Sequence, residues 1–254
     1  MVPDVVIFDL DDTLVYQEDT NRGIVKELFS SLVQDTQPIK AAFFQKARTL
    51  WSIQESYPLC RSLGISSGEG LWGEFRTSGE GMGKLRQEAL VFRLRVWKEI
   101  LEEYGLDASL APNLRDEFIR LRRERQYWLP GAWELLEKLQ GRFGLSLLTN
   151  GASDLQWFKI QASGIQRYFP QIVVSGDVGI GKPDPRIFHH LTASHHKGTR
   201  FLMVGNSLSS DIRGAANAGI PAVWLDREGE SLPSDLRPWK TIREFSELLP
   251  LLGI

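Results

Sequence analysis

The sequence has one cysteine, Cys60, among 254 residues, so it can form no internal disulfide and offers no cysteine cluster for structural zinc. That usage fits a reducing, cytoplasmic setting. It also has little net charge: 30 Lys and Arg stand against 32 Asp and Glu, a balance of -2 that supplies no broad basic field to gather nucleic acid or anionic lipid. Long apolar runs are absent as well. No stretch approaches the roughly 20 residues of a membrane span, and the opening MVPDVVIFDLDD lacks the basic region of a secretory signal. The expectation is a soluble, intracellular chain with neither a nucleic-acid nor a membrane partner. What is present is the composition of a folded globule, 42% hydrophobic and 24% charged, long enough for one large domain or two small ones.

Val5-Val6-Ile7-Phe8 is a β-branched and aromatic run that ends in the acidic string Asp9-Leu10-Asp11-Asp12. A run without alternation suits a strand buried on both faces, as in a parallel sheet. Leu145 to Leu148, Ile172 to Val174 and Phe201 to Val204 share this shape and end in small or polar residues, and Ala222 to Leu225 follows Gly219-Ile220-Pro221. Helical patterns at 132–140, 153–163, 184–196 and 209–218 alternate with them. The result is a chain of βα units, hence an α/β fold with a parallel sheet whose polar strand ends converge on one edge, where open α/β sheets bind ligands. Between Asp12 and Trp128 no strand is legible. Amphipathic patterns at 20–34, 39–56, 84–104 and 113–127 predict an all-helical insertion, with the glycine-rich 77–83 as a loop and Leu129-Pro130-Gly131 as the return to the α/β part.

Asp9 and Asp11, one residue apart at the end of a buried strand, need a cation or a proton to be crowded there. Mg²⁺ is the natural candidate, because it takes one or two carboxylates and keeps waters for phosphate oxygens. An isolated Asp-x-Asp also fits an acidic turn or a helix cap. In the same way Thr149 and Asn150 fit a cap on the following helix, and Lys182 before Pro183 fits a surface loop.

Together the four strand ends resemble the motifs of the haloacid dehalogenase (HAD) superfamily, in the branch with a helical cap inserted after the first strand. Phe8-Asp9-Leu10-Asp11-Asp12-Thr13-Leu14 matches the first motif and Leu147-Leu148-Thr149-Asn150-Gly151 the second; Gly181 to Phe188 fits the third, and Val204 to Asp211 with Gly214 to Gly219 the fourth. The resemblance implies a three-layer, Rossmann-like catalytic core of 1–15 and 128–254, with 16–127 as a helical cap that supplies substrate contacts. It implies a magnesium-dependent phosphatase acting on a small phosphorylated metabolite. Asp9 would be the nucleophile, forming an aspartyl-phosphate, and Asp11 the general acid and base. Thr149 with the backbone amides of Asn150 and Gly151 would hold the phosphoryl oxygens, joined by Lys182 opposite the spreading negative charge. The metal would rest on the Asp9 carboxylate, the Asp11 carbonyl, Asn206 and Asp211.

One position departs from the pattern: the residue after the fourth-motif glycine is commonly Asp and here is Asn206, which removes one negative charge from the implied metal site. Asp211 can restore it. An active enzyme with a weaker or differently shared metal is one outcome, and a non-catalytic phosphometabolite-binding relative is the other. A dehalogenase would lack the second Asp of the first motif, whereas a phosphomutase would keep it; the motifs carry no signal of oligomeric state. Other features read as structural. Trp97, Trp128, Trp133 and Trp157 fall in helical patterns as packing residues, while Trp51 and Trp72 near cap loops keep a chance of meeting substrate. Arg115, Arg120, Arg122, Arg123 and Arg125 interleave with acids as a solvated helix face, and His189, His190, His195 and His196 suit a helix C-terminus better than a metal.

Overall fold

The structure is a computed structural model and describes residues 2–254. It divides into two compact units, Met1–Tyr16 with Tyr127–Ile254, and Gln17–Gln126 between them in sequence. The chain opens on a strand, β1 (Val5–Phe8), and then enters the second unit, where α1 (Glu18–Ser30), α2 (Gln37–Ser52), α3 (Tyr57–Leu63), α4 (Ser67–Gly70), α5 (Met82–Glu103) and α6 (Ala111–Glu124) follow one another. The pattern at 39–56 is broken by the turn at Ile53–Ser56, after which Pro58 in the first turn of α3 starts a fresh helix. The glycine-rich loop ends at Gly81, whose φ of 78° is open to glycine, and α5 begins at Met82. Phe29, Phe43, Trp97 and Phe118 form the aromatic centre of this unit, with Trp97 4.5 Å from Phe43 and 5.4 Å from Phe29 between ring centroids.

One expectation fails in the helical unit. Arg122 does not lie on a solvated face: it is fully buried, donates to Asn21 Oδ1 at 2.8 Å and stacks 4.4 Å from the Trp72 ring. Its helix presents Arg120 outward to Glu117 and Glu124, but Arg122 shares the inward stripe with Phe118 and Leu121. Trp51 is packed in the interior, with its ring 4.9 Å from Phe92 and its Nε1 donating to the Ile65 carbonyl.

The remaining chain builds the α/β unit: α7 (Ala132–Leu139), β2 (Gly144–Thr149), α8 (Ser153–Ala162), β3 (Gln171–Val174), α9 (Ser175–Val178), α10 (Pro185–Thr192), β4 (Phe201–Gly205), a π-helical turn at Leu208–Ile212 leading into α11 (Arg213–Asn217), β5 (Ala222–Leu225), β6 (Lys240–Ile242) and α12 (Leu248–Leu251). The six strands are parallel in the order β3-β2-β1-β4-β5-β6. This is the expected α/β fold. Alternation along β1 explains its apolar run: Val6 and Phe8 join Leu145, Leu147, Leu202 and Val204 on one face, Val5 and Ile7 join Leu148 and Met203 on the other. Burying both faces is worth about 1.5–3 kcal/mol per large aliphatic side chain before the entropy cost. Trp133 departs from its reading as a packing residue and is 47% exposed on α7, whose inward stripe is Leu135, Leu136 and Leu139.

The sheet order places the switch point at β1, flanked by β2 and β4, each running away on its own side. Phe8 is in register with Leu147 of β2 and Val204 of β4. Asp9, the Thr149 to Gly151 loop and the Asn206 loop therefore leave the sheet side by side. Among the described residues no helix is long and apolar enough to cross a membrane.

Candidate active site

Asp9 follows the last residue of β1, and its N–H donates to the Val204 carbonyl at 3.0 Å, so the neighbouring strand holds its backbone. Its side chain is almost wholly buried. Lys182 Nζ donates to Oδ1 at 2.6 Å and Thr13 Oγ1 to Oδ2 at 3.0 Å. The same ammonium lies 2.7 Å from Asp211 Oδ1, in ion-pair contact without hydrogen-bond geometry, and donates to the Leu148 carbonyl at 2.7 Å. Burial, and after it the charge of Asp211, pushes Asp9 up to about 7 against the pull of Lys182. For Lys182 burial acts downward, but the charges of Asp211 and Asp9 outweigh it and hold the ammonium above its ordinary value.

Lys182 is positioned by Asn150. The Asn150 carboxamide donates through Nδ2 to the Lys182 carbonyl and accepts through Oδ1 from the Lys182 N–H, both at 2.8 Å. The Asn150 side chain is thus a clamp between two strand-end loops. Gly151 has a φ of 140°, and its N–H donates to Ser175 Oγ at 2.9 Å. That donor, implied for phosphate, is committed to a buried serine in this arrangement. Thr149, fully buried at the end of β2, accepts from Gln156 Nε2 at 2.5 Å.

The same Gln156 Nε2 donates to Asp11 Oδ2 at 2.9 Å, and Lys159 Nζ donates to that oxygen at 2.6 Å. Asp11 Oδ1 is buried and has no hydrogen-bond partner among the described residues. Gln156, Lys159 and Thr13 are not distinguished by sequence reading. Thr13 sits inside the first motif, where its hydroxyl, 3.0 Å from Asp9 Oδ2 and 3.2 Å from Asn206 Oδ1, also accepts from the Asn206 N–H at 3.1 Å. Gln156 and Lys159 lie in α8, where a polar residue ordinarily signals the solvent face.

No group of three or more His, Cys, Asp or Glu is arranged to hold a metal among the described residues. Among the four histidines, His195 packs its ring edge-on to Phe201 at 5.1 Å. For Mg²⁺ the relevant test is the donor chemistry at the switch point, since that ion takes few carboxylates. The Asp9 carboxylate and Asn206 Oδ1 are hard oxygens brought together through Thr13. The charge balance fits as well: Asp9 and Asp211 face a single ammonium, leaving one buried negative charge in excess. Asp211 Oδ2 accepts from the Ser207 N–H at 3.0 Å, and Oδ1 faces Lys182.

A family model described as "Hydrolase: haloacid dehalogenase-like hydrolase" matches residues 3–219. A phosphoserine phosphatase of Thermus thermophilus is 35% identical over 224 residues, 88% of this chain and 88% of that one. The pyrimidine 5'-nucleotidase YjjG of Escherichia coli is 36% identical over 169 residues, 65% of this chain and 75% of its own. A crystal structure of the HAD-hydrolase YfnB of Bacillus subtilis, bound to magnesium, superposes with a TM-score of 0.71 at 24% identity over the whole of both chains, a likeness of fold.

Proposed function

The chain belongs to the haloacid dehalogenase-like hydrolases, and from that premise we propose that it is a magnesium-dependent phosphatase hydrolysing a small phosphomonoester through an aspartyl-phosphate on Asp9. The observation that carries the reading is the buried Asp9 carboxylate at the sheet's switch point, with Lys182 at 2.6 Å and a second acid, Asp11, two residues away. A dehalogenase has no use for that second acid, since a halide leaves without a proton.

The roles follow from the atoms present. An Asp9 carboxylate oxygen attacks phosphorus while the bond to the leaving oxygen breaks, and Asp11 supplies that oxygen with a proton. In the second step Asp11 takes a proton from water as the water oxygen bonds to phosphorus and Asp9 is released. Lys182 places a fixed positive charge beside the oxygens on which negative charge accumulates, a preorganisation that needs no rearrangement during the reaction. Thr149 and the loop of Asn150 and Gly151 face the same strand ends and are proposed as the phosphate cradle. Magnesium bound by the Asp9 carboxylate, the Asp11 carbonyl and Asn206 Oδ1, with Asp211 supporting through Lys182, would supply neutralisation of the dianionic substrate. Retention of Asp9, Asp11, Thr149 and Lys182 favours an active enzyme over a phosphometabolite-binding relative.

Relatives named for phosphoserine and for pyrimidine nucleotides make small phosphomonoesters the first substrates to try. A phosphate-release screen over O-phosphoserine, nucleoside monophosphates, sugar phosphates, phosphoglycolate and an aryl phosphate, with Mg²⁺ and with chelator, tests the proposal. Release that depends on Mg²⁺ is the expected outcome. Release from none of them, or release that chelator leaves unchanged, contradicts it.

A further inference from the structure

Resting on the phosphatase reading, we propose that Gln156 and Lys159 are positioning residues for Asp11: two donors from one helix face hold its Oδ2, so that Oδ1 alone exchanges a proton with the leaving oxygen and then with water. Three residues apart on α8, they share a face. That face is the buried one, and both side chains are inaccessible to solvent. Burying an ammonium is costly unless it is paired in good geometry, and the Lys159 ammonium meets Asp11 Oδ2 at 2.6 Å. Gln156 Nε2 uses its two hydrogens on two acceptors, Asp11 Oδ2 at 2.9 Å and Thr149 Oγ1 at 2.5 Å, and so ties the acid to the end of β2. Both donors choose the same carboxylate oxygen. The other, Oδ1, is left buried without a hydrogen-bond partner among the described residues, which is the condition for an oxygen reserved for a proton in transit.

The surroundings keep this platform in place. Gly151 has no side chain where a Cβ would come within 2.7 Å of Gln156 Cδ, so the second-motif glycine clears the path of the amide. Trp157 Nε1 donates to Asp177 Oδ2 at 2.9 Å and Ser153 Oγ donates to Asp177 Oδ1, which pins α8 to α9. Gly176 permits that approach, because a Cβ there would lie 2.5 Å from the Ser153 nitrogen. In the first half-reaction the phosphorus–oxygen bond to the leaving group breaks, its electron pair stays on that oxygen, and the proton on Oδ1 moves to it. In the second, a water proton returns to Oδ1 while the water oxygen replaces Asp9 on phosphorus.

A residue that only stabilises the fold affects all substrates alike, whereas one that aims a proton donor matters when the leaving group needs the proton. The test compares kcat/KM of wild type, Lys159→Met and Gln156→Leu on two esters: the alkyl phosphomonoester turned over fastest, and 2,4-dinitrophenyl phosphate, whose leaving group departs unprotonated. The alkyl ester is expected to lose on the order of 10²-fold in each variant, the lower range of a general-acid contribution, with the dinitrophenyl ester changed a few-fold at most. Should Lys159→Met fail to fold, Gln156→Leu, uncharged and close in size, carries the comparison alone. Equal losses on both esters, or no loss on either, overturn the positioning role. Wild type inactive on both esters instead overturns the phosphatase reading beneath it.

Discussion

Asp211 reaches Lys182 because position 205 carries no side chain. A Cβ at Gly205 would stand 2.4 Å from Asp211 Oδ2 and 2.6 Å from its Cβ, too near the backbone of that side chain for a rotamer change to relieve it. Gly205→Ala is therefore expected to cost about 1–3 kcal/mol as overpacking and to displace the second carboxylate from the ammonium; thermal melting and phosphate release measure the two effects, and an unchanged melting temperature contradicts the packing argument. Asn206 is the residue through which the proposed metal site departs from the family's usual charge. Asn206→Asp is expected to tighten Mg²⁺ by roughly tenfold, about 1.4 kcal/mol, read by calorimetric titration as well as by activity; identical titrations dismiss the idea that Asn206 tunes the site. Cys60, though the sole thiol, is built to be inert. Burial pushes it up to about 12, so the native protein should resist alkylation at pH 8 and react once denatured, and rapid native labelling would contradict that account.

At the scale of elements, β1 and β4 are locked at their entrances by Asp4 and Arg200. The Asp4 and Val5 N–H groups donate to the Arg200 carbonyl, and the Arg200 N–H and guanidinium donate to the Asp4 carboxylate at 2.7–3.0 Å. Those hydrogen bonds hold Asp4 down at about 2 from the usual 3.8. The folded state thus favours the ionised form, and its stabilisation is present above the unfolded value and lost as pH falls through the folded one. The melting-temperature gap between wild type and Asp4→Asn should be widest near neutrality and shrink as pH falls from about 5 toward 2; a constant gap contradicts the linkage. Strands of this kind are legible because a doubly buried strand must be apolar throughout. β6, three residues with two exposed, carries no such signature, and α3 and α4 are too short for a helical period. α8 shows the deeper limit. An amphipathic reading turns Gln156 and Lys159 outward, yet they point inward because Asp11, 145 and 148 residues earlier in sequence, supplies their partner. Polar groups made tolerable inside by distant residues cannot be told from surface ones by local pattern.

For the whole molecule, the chain leaves and re-enters the α/β unit at one place. The Tyr16 N–H donates to the Tyr127 carbonyl at 2.9 Å, the Leu129 N–H donates to the Leu14 carbonyl at 2.8 Å, and Val15 bridges Trp128. Ends this close can be joined by a short linker, as inserted segments generally permit. A variant joining Tyr16 to Tyr127 through a few glycines is expected to retain the parallel sheet by circular dichroism and a cooperative melt; loss of both would mean that the α/β unit depends on 17–126 for its fold. The net charge of -2 gives no hint of the switch point, where Asp9, Asp211 and Lys182 converge from three segments of the chain. In this mechanism Asp9 accepts the phosphoryl group, and acid quenching during turnover followed by peptide mass spectrometry measures that transfer directly. A phosphoryl adduct on Asp9 that appears with substrate, and disappears together with turnover in Asp9→Asn, is the predicted result; an Asp9→Asn enzyme that releases phosphate at the wild-type rate would contradict it.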